Sequence, residues 1–237
     1  MATIALLTAG GSGTRMHQDI PKQFLTINDR PVIIYTLENF QKHPEIDVIA
    51  VVCLKGWEQV LMAYAEQFNI TKLKHVVTGG ETGQESIRNG LFMLEEIYKD
   101  DDIVIIHDGN RPMLSADVIS DNIVTVKKYG CAIAAIPCTE AVMKTEDGIV
   151  SVDSYERSTL RRTQTPHGFF LKKICDLHRR AIAAGITNSV ASCTMMFDLG
   201  EQVYFSAGSE KNLKLTTVED IDIFKALLNA KRIEWLK

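Results

Sequence analysis

The sequence predicts an α/β three-layer sandwich with a mostly parallel sheet and a protruding β-hairpin arm. Strand-like apolar runs alternate with helical patterns along most of the chain. These runs are apolar at nearly every position, which is typical of strands covered by helices on both faces. One stretch interrupts the alternation with a hairpin pattern. We therefore expect a Rossmann-like single domain over residues 1–237, with residues 138–162 as the arm.

Six apolar runs predict the strands of the sheet. In chain order they are TIALLTAG, IDVIAVVCL, KHVVTG, DIVIIHD, CAIAAIP and QVYFSAG. The segments between them have helical periodicity over residues 31–43, 57–68, 86–98 and 115–129. A further helix is expected after Thr217, a good N-cap residue followed by acidic residues, and is expected to end near Trp235. Residues 140–160 contain a Glu-Asp-Gly turn between two strand-like runs and predict the hairpin.

Composition excludes several classes of protein. The chain has 237 residues, of which 46% are hydrophobic and 24% charged, and no window has the length and apolarity of a membrane span. No secretory signal follows Met1, so we expect a cytoplasmic protein. The five cysteines lack the spacing of a zinc site and are expected to be reduced thiols. A net charge of −4 argues against a nucleic-acid binder but allows a local site for a phosphorylated small molecule.

The loop after the first predicted strand is rich in glycine. Gly10, Gly11 and Gly13 lie where the strand ends, and ligands of open α/β sheets bind at the carboxyl ends of strands. Glycine allows close approach of the backbone, so successive N–H groups can point at an anion such as a triphosphate. The loop lacks the third glycine of a dinucleotide fingerprint, because Met16 occupies that position, and it lacks the G-K-[ST] of a Walker loop.

Charged residues near this loop strengthen the prediction of a phosphate site. Arg15 and Lys22 place two cations on the same short segment, although a tight turn with two solvated cations would have the same sequence. Asp108 ends another strand, where its carboxylate would face a ligand and suit Mg²⁺. The neighbouring His107 points the other way by strand alternation and is expected to be structural.

Five segments resemble, in order, the signature blocks of the cytidylyltransferases that act on 2-C-methyl-D-erythritol 4-phosphate or on ribitol 5-phosphate. They cover almost the whole chain and are TAGGSGTRM…PKQF, GGETGQESIRNGL, IIHDGNRPML, RRTQTPHGF and NLKLTTVEDI. The resemblance implies that a phosphate oxygen of a polyol phosphate attacks the α-phosphorus of CTP, with release of pyrophosphate and assistance from Mg²⁺. The residues suit this chemistry independently, because nucleotidyl transfer mainly requires positioning and neutralisation of charge.

The resemblance also implies a role for each matched residue. The catalytic cations would be Arg15, Lys22 and Lys214. The nucleotide would be held by Ala9, Gly10, Gly11, Gly13, Gly79, Gly80, Ser86 and Asp108, with Asp108 also at the metal. The acceptor would be held by Arg111, Arg157, Thr165 and Thr187. Arg157 would come from the arm of a neighbouring subunit, so the resemblance implies a homodimer. From net charge and hydropathy we expect no nucleic-acid or membrane partner.

Simpler interpretations exist for three of these residues. Lys214 could be an exposed cation at a strand end, and Arg111 could pair with Asp108 only to stabilise a loop. Ser86 could serve as the N-cap of a helix.

Two positions depart from the family pattern. Gly83 replaces an arginine that many methylerythritol enzymes have near the nucleotide, and Ala141 replaces a common threonine on the acceptor side. The spacing around the hairpin favours ribitol 5-phosphate as the acceptor, with methylerythritol 4-phosphate as the alternative. A third hypothesis, motivated by the two departures, is a regulatory relative that binds CTP without turnover.

Overall fold

The structure, a computed structural model, describes residues 1–11 and 20–233. Its strands are β1 (Thr3–Ala9), β2 (Thr26–Ile27), β3 (Arg30–Pro31), β4 (Val48–Cys53), β5 (Leu73–Thr78), β6 (Ile103–Asp108), β7 (Cys131–Pro137), β8 (Val142–Lys144), β9 (Asp153–Tyr155), β10 (Arg161–Phe170) and β11 (Phe205–Ala207). Its α-helices are α1 (Val32–Lys42), α2 (Glu58–Gln67), α3 (Gly83–Glu95), α4 (Ala116–Tyr129), α5 (Leu171–Ala183), α6 (Ser192–Asp198) and α7 (Val218–Ile233).

A seven-stranded sheet in the order β11-β7-β10-β6-β1-β4-β5 forms the centre of the molecule. β1 pairs in parallel with β4 and β6, β4 with β5, and β7 with β11. β10 is antiparallel to both of its neighbours, β6 and β7. The predicted mostly parallel α/β sandwich is therefore confirmed, with one reversed strand in its interior.

Alternation along β1 divides the core between the two faces of the sheet. Ala5 and Leu7 pack on the face covered by α1, α2 and α4, whereas Ile4 and Leu6 pack on the face covered by α3, α5 and α6. All four side chains are fully buried. This two-sided burial explains why the strand is apolar at nearly every position. A smaller cluster packs Phe224 of α7 beside the domain's 27–32 segment.

Helix α3 approaches the sheet unusually closely at Gly90. A Cβ atom there would lie 2.7 Å from Val52 Cγ2 and 2.8 Å from Leu6 Cδ1. Because Gly90 has no side chain, the backbone of α3 rests directly on the Leu6 and Val52 side chains of β1 and β4. Its N-terminal turn is thereby held beside the carboxyl end of β1, where the glycine loop begins.

The start of α3 differs from the prediction. The helix begins at Gly83, and Thr82 is its N-cap, with Thr82 Oγ1 accepting a hydrogen bond of 3.1 Å from the Glu85 N–H. The alternative role of Ser86 as an N-cap is therefore wrong, because Ser86 lies inside the first turns. The apolar helical positions begin only at Ile87, so the sequence pattern indicates a start at Ser86 and gives no sign of the polar turn over residues 83–85.

Other elements agree with the sequence to differing degrees. Helices α1, α2 and α4 lie within a residue or so of their predicted bounds, and β8 pairs with β9 in the predicted hairpin. The Thr217 hydroxyl accepts a 3.4 Å bond from the Asp220 N–H, as the predicted cap requires. Residues 234–237, including the predicted end near Trp235, lie outside the described residues. β10, α5 and α6 were not predicted.

Two further predictions concern the cysteines, expected to be reduced thiols, and the helices, none of which is expected to span a membrane. All five cysteines are buried thiols without disulfide partners, and burial raises the pKa of Cys53 and Cys175 to about 12. None of the helices in the described residues is long and apolar enough to cross a membrane.

Candidate active site

A cleft of about 510 Å³ opens at the carboxyl ends of β1 and β6. One side is formed by the glycine loop, with Ala9, Gly10, Gly11 and Lys22. The turn from β5 to α3, the end of β6 and a later segment complete it, and they contribute Gly80, Ser86, Asp108 and Lys214. Eight predicted site residues from four separate parts of the sequence therefore share one cleft. Gly13 and Arg15 lie outside the described residues.

A buried glutamine fastens the glycine loop to the segment that carries Lys22. Gln23 Nε2 donates to the carbonyl oxygens of Ala9 at 2.7 Å and Gly11 at 3.0 Å. The neighbouring Phe24 stacks on Trp57 with ring centroids 4.6 Å apart. These contacts hold the short 3-10 turn Lys22–Phe24 against the loop, so Lys22 lines the cleft. Gln23 was not predicted as a site residue, although it lies in the PKQF segment.

Ser86 shapes the turn between β5 and α3. Its hydroxyl oxygen accepts a hydrogen bond of 3.0 Å from the Gly80 N–H. A Cβ atom on Gly79 would lie 3.1 Å from Ser86 Oγ, and one on Gly10 would lie 3.4 Å from it. The two glycines thus let the glycine loop, the β5 turn and α3 meet at one hydroxyl. Gly79 supports this junction from outside the cleft lining.

Asp108 is the centre of charge in the cleft. Lys214 Nζ lies 3.1 Å from Oδ1, and Arg111 Nε donates to Oδ2 at 2.9 Å. Burial of the carboxyl opposes its ionisation, but the positive charges of Lys214 and Arg111 outweigh burial and hold the Asp108 pKa well below its usual range. Asp108 is therefore a carboxylate throughout the neutral pH range.

Thr165 of the adjacent strand β10 and Asn212, in the segment after β11, support this charged group. The Asp108 N–H donates to Thr165 Oγ1 at 3.1 Å, and Asn212 Nδ2 donates to the Thr165 carbonyl oxygen at 2.7 Å. Arg111 Nη1 donates to the Asn212 carbonyl oxygen at 2.8 Å. Arg111 and Thr165 thus contact Asp108 but do not line the cleft.

The segment that carries Lys214 is fixed to the loop after β6 by Asn110. Asn110 Nδ2 donates to the Leu215 carbonyl oxygen at 2.5 Å, and the Leu215 N–H donates to the Asn110 carbonyl oxygen at 2.9 Å. Asn110 is buried. The ammonium group of Lys214 is therefore placed against Asp108 by its backbone as well as by charge, which goes beyond an incidental surface cation.

Two residues predicted to hold the acceptor lie outside the cleft lining. Thr187 is exposed in the loop before α6, and its carbonyl oxygen accepts a 3.4 Å bond from Thr82 Oγ1. Arg157 is exposed on the arm and donates to the Thr139 carbonyl oxygen at 3.1 Å. Thr187 is nevertheless close in sequence to Ser189, which does line the cleft.

The donor set suits a metal ion carried by substrate phosphates. Among the described residues, no group of three or more His, Cys, Asp or Glu side chains could enclose a metal. Asp108 offers a hard carboxylate, and Mg²⁺ bound through one carboxylate and phosphates would take its Oδ1, which accepts from Lys214, because Oδ2 accepts from both Arg111 Nε and Thr165 Oγ1. His107 is fully buried beside Phe40, and burial lowers its pKa to about 3, so it is neutral and structural, as expected.

The inner end of the cleft contains two polar residues that the sequence analysis missed. His178 and Ser192 line the cleft and are buried. Within the described part of the chain, neither ring nitrogen of His178 nor the Ser192 hydroxyl has a hydrogen-bond partner. Burial lowers the His178 pKa to about 4, so the ring is uncharged at neutral pH. His178 occupies a core-facing helical position, so its sequence context gives no functional signal.

The fold and the cleft together are those of an α/β nucleotidyltransferase-like protein, with paired cationic and anionic side chains at the carboxyl ends of its parallel strands. Residues 3–230 match the family model for 2-C-methyl-D-erythritol 4-phosphate cytidylyltransferase, IspD. The chain therefore belongs to the IspD cytidylyltransferase family, and the family resemblance drawn from its five segments is confirmed.

Individual relatives match over nearly their full lengths. The chain is 43% identical to a ribitol-5-phosphate cytidylyltransferase of Lacticaseibacillus paracasei, over 97% of this chain and 99% of that protein. It is 35% identical to a 2-C-methyl-D-erythritol 4-phosphate cytidylyltransferase of Clostridium botulinum, over 94% and 96%. The crystal structure of 4-diphosphocytidyl-2C-methyl-D-erythritol synthase from Anaerococcus prevotii superposes with a TM-score of 0.81, at 25% identity and 96% coverage of both chains.

Proposed function

We propose that the protein transfers CMP from CTP to D-ribitol 5-phosphate, giving CDP-ribitol and pyrophosphate. The observation that carries this proposal is the meeting of Lys22, Lys214 and Asp108 beside the glycine loop in one cleft. The choice of acceptor is supported by the relatives named for ribitol 5-phosphate, which are 38–43% identical, against 35–36% for those named for methylerythritol 4-phosphate.

The proposed reaction exchanges one phosphorus–oxygen bond for another. A phosphate oxygen of ribitol 5-phosphate attacks the α-phosphorus of CTP, and the bond from that phosphorus to the oxygen bridging to the β-phosphorus breaks. Lys22 and Arg15 neutralise the charge that accumulates on the departing pyrophosphate, and Lys214 does so at the α-phosphate. The backbone of Gly10, Gly11 and Gly13 holds the triphosphate.

The family generally uses a divalent metal, and we propose Mg²⁺ held by Asp108 together with the phosphates of CTP. When bound, the metal ion withdraws charge from the phosphate oxygens and helps to align them. Asp108 stays ionised for this role because Lys214 and Arg111 hold its pKa low despite burial. Both cations also keep the carboxylate in a fixed orientation.

The remaining predicted residues divide between the two substrates. Gly79, Gly80 and Ser86, with Ala9, form the junction proposed to hold cytidine. Thr165, Arg111 and Thr187 are proposed to hold the acceptor.

The five buried thiols of the protein are compatible with a reducing compartment, and we propose that the enzyme works in the cytoplasm.

A homodimer through the arm at residues 138–162 would complete the acceptor site. Arg157 lies outside the cleft of its own chain, so a second copy would have to supply it. The arm also exposes apolar side chains, with Ile149 87% and Val152 98% accessible, which a partner could cover. Val152→Glu should therefore weaken self-association in analytical ultracentrifugation, whereas Ile97→Glu, at an exposed apolar position away from the arm, should leave it unchanged.

An assay of pyrophosphate release tests the function. We expect release with CTP but not with ATP, GTP or UTP, and faster release with D-ribitol 5-phosphate than with methylerythritol 4-phosphate. The reverse acceptor preference would establish the alternative substrate, which the 35% identical relatives favour. Tight CTP binding by calorimetry without pyrophosphate from either acceptor, even at high enzyme concentration, would instead establish a regulatory CTP-binding protein.

A further inference from the structure

One wall of the cleft is a loop that belongs to neither a helix nor a strand. Residues 184–191 connect α5 to α6, and they are mostly exposed. Ser189, Val190 and Ala191 from this loop line the cleft, followed by Ser192 at the start of α6. The loop therefore needs an external support if this wall is to keep a fixed position.

One buried side chain supports the loop through two short hydrogen bonds. Gln84, in the first turn of α3, is 6% exposed, and its Nε2 donates to the Ile186 carbonyl oxygen at 2.7 Å. Its Oε1 accepts from the Ser189 N–H at 2.7 Å. One planar amide thus bonds a carbonyl and an N–H three residues apart in the loop. The bond from Thr82 to the Thr187 carbonyl oxygen is longer, at 3.4 Å.

The position of Gln84 links this wall to the opposite side of the cleft. Ser86, two residues further along α3, bonds the Gly80 turn that lies beside the glycine loop. The same helical turn therefore contacts the nucleotide side through Ser86 and the loop through Gln84. Loss of the Gln84 bonds would act on the 184–191 loop directly, whereas the Ser86 bond to the Gly80 turn would remain.

The chemistry of the wall suits an uncharged hydroxylated ligand. Residues 184–192 contain no charged side chain, and two of them, Ser189 and Ser192, bring hydroxyl groups to the cleft lining. A hydroxyl can donate and accept hydrogen bonds, which matches the hydroxyls of a polyol chain better than phosphates. The cations of the site lie elsewhere, on the glycine loop segment and around Asp108.

We propose that Gln84 is a positioning residue for the acceptor, because it holds the 184–191 loop where the polar groups of the loop meet the polyol chain. This inference rests on the proposed function. It assigns to Gln84 an effect on the acceptor that is separate from CTP binding.

The variant Gln84→Glu tests the proposal with little change in shape. The introduced carboxyl can still accept from the Ser189 N–H, but it loses the donor to the Ile186 carbonyl oxygen and places two acceptors in contact. We expect the KM for D-ribitol 5-phosphate to rise about tenfold or more. The CTP dissociation constant, measured by calorimetry without acceptor, should stay within about twofold of the wild-type value.

Gln41→Glu is a matched control elsewhere in the chain. Gln41 in α1 also fastens a loop, since its Nε2 donates to Thr71 Oγ1 at 2.9 Å and its Oε1 accepts from the Lys72 N–H at 2.8 Å. None of these residues lines the cleft. The same substitution there should leave both the KM for acceptor and the affinity for CTP unchanged.

The pH dependence separates positioning from general damage. A protonated carboxyl regains an O–H donor, and burial raises the pKa of a carboxyl. The ratio of the Gln84→Glu acceptor KM to the wild-type KM should therefore fall as the pH is lowered from 8 to 6. Gln84→Met, which has a similar volume but no donor or acceptor, should raise the acceptor KM without this rescue, and it serves as well if Gln84→Glu does not fold.

Several outcomes would overturn the proposal. The wild-type enzyme could be active while neither substitution changes the acceptor KM. Alternatively, the variants could lose as much affinity for CTP as for the acceptor. A wild-type protein that releases no pyrophosphate with either acceptor refutes the proposed function, and the role of Gln84 falls with it. The two failures are distinguished by the activity of the wild-type protein.

Discussion

Cations at the cleft are held in place by groups that are not themselves charged. Lys22 is positioned by the Gln23 amide, which bonds the carbonyl oxygens of the glycine loop. Lys214 is positioned by Asn110, whose side chain and carbonyl oxygen both bond Leu215. Fixed cations need little reorganisation when charge develops on the transferring phosphate, which is the condition for large electrostatic stabilisation.

Removal of one such cation should slow the chemical step. We expect Lys22→Ala to lower kcat on the order of 10²-fold or more, because a preorganised charge at the transition state is worth a few kcal/mol. Pyrophosphate release at saturating substrates measures the effect. Lys42→Ala removes an exposed lysine that pairs with Glu38 on α1 and should leave kcat unchanged. Equal rates for the two variants would contradict the assigned role.

At this scale, sequence predicted the charged residues better than the groups that position them. Lys22 and Asp108 stand out because they follow a glycine loop and a strand end. Gln23, Gln84, Asn110 and Asn212 bond backbone groups, in most cases far along the chain, and such bonds leave no periodic pattern in the sequence. Their amide side chains look like ordinary polar residues until the chain is folded.

The sequence predicted the strands that are buried on both faces of the sheet. Strands β1, β4 and β6 are buried on both faces and form continuous apolar runs. β10 escaped prediction because its first half is exposed and its second half is buried, and because Pro166 and Gly168 interrupt it. α5 does have apolar residues at helical spacing, such as Ile174, Leu177 and Ala181, so that signal was present and could have identified it.

The close approach of α3 to the sheet gives a prediction about stability. Gly90→Ala should destabilise the protein by about 1–3 kcal/mol, because a methyl group there would overlap Val52 and Leu6. Urea denaturation measures the change. The control is Gly83→Ala in the same helix, where a Cβ meets no atom within 4 Å, and it should be stabilising by roughly 0.5–1 kcal/mol. An unchanged free energy of unfolding for Gly90→Ala would show that the Val52 and Leu6 side chains can move aside.

Within the described residues the folded molecule buries four histidines, and burial lowers the pKa of each, including that of His43. His107, His167 and His178 are buried, and burial lowers their pKa values to about 3, 4 and 4. In the unfolded chain each would titrate near 6.5. Between those values the unfolded state binds protons that the folded state does not.

The free energy of unfolding should therefore fall as the pH is lowered from 7 to 5. Each buried histidine can contribute up to about 1.4 kcal/mol per pH unit in this window, and nothing above pH 7. Asp108 acts in another range, because its lowered pKa preserves its contribution until the pH falls below about 4. Urea midpoints at pH 5, 6 and 7 measure the slope. A free energy of unfolding that does not change between pH 7 and pH 5 would contradict the assignment of neutral, buried imidazoles.

The distance of Arg157 from the cleft of its own chain has a consequence for mixed assemblies. If each active centre combines Lys22 of one copy with Arg157 of the other, two inactive variants can complement each other in a mixed dimer. Lys22→Ala and Arg157→Ala chains, refolded together in equal amounts, would give hybrids in which one centre carries both lesions and the other carries none. Such a mixture should recover about one quarter of the wild-type rate, although each parent alone is nearly inactive.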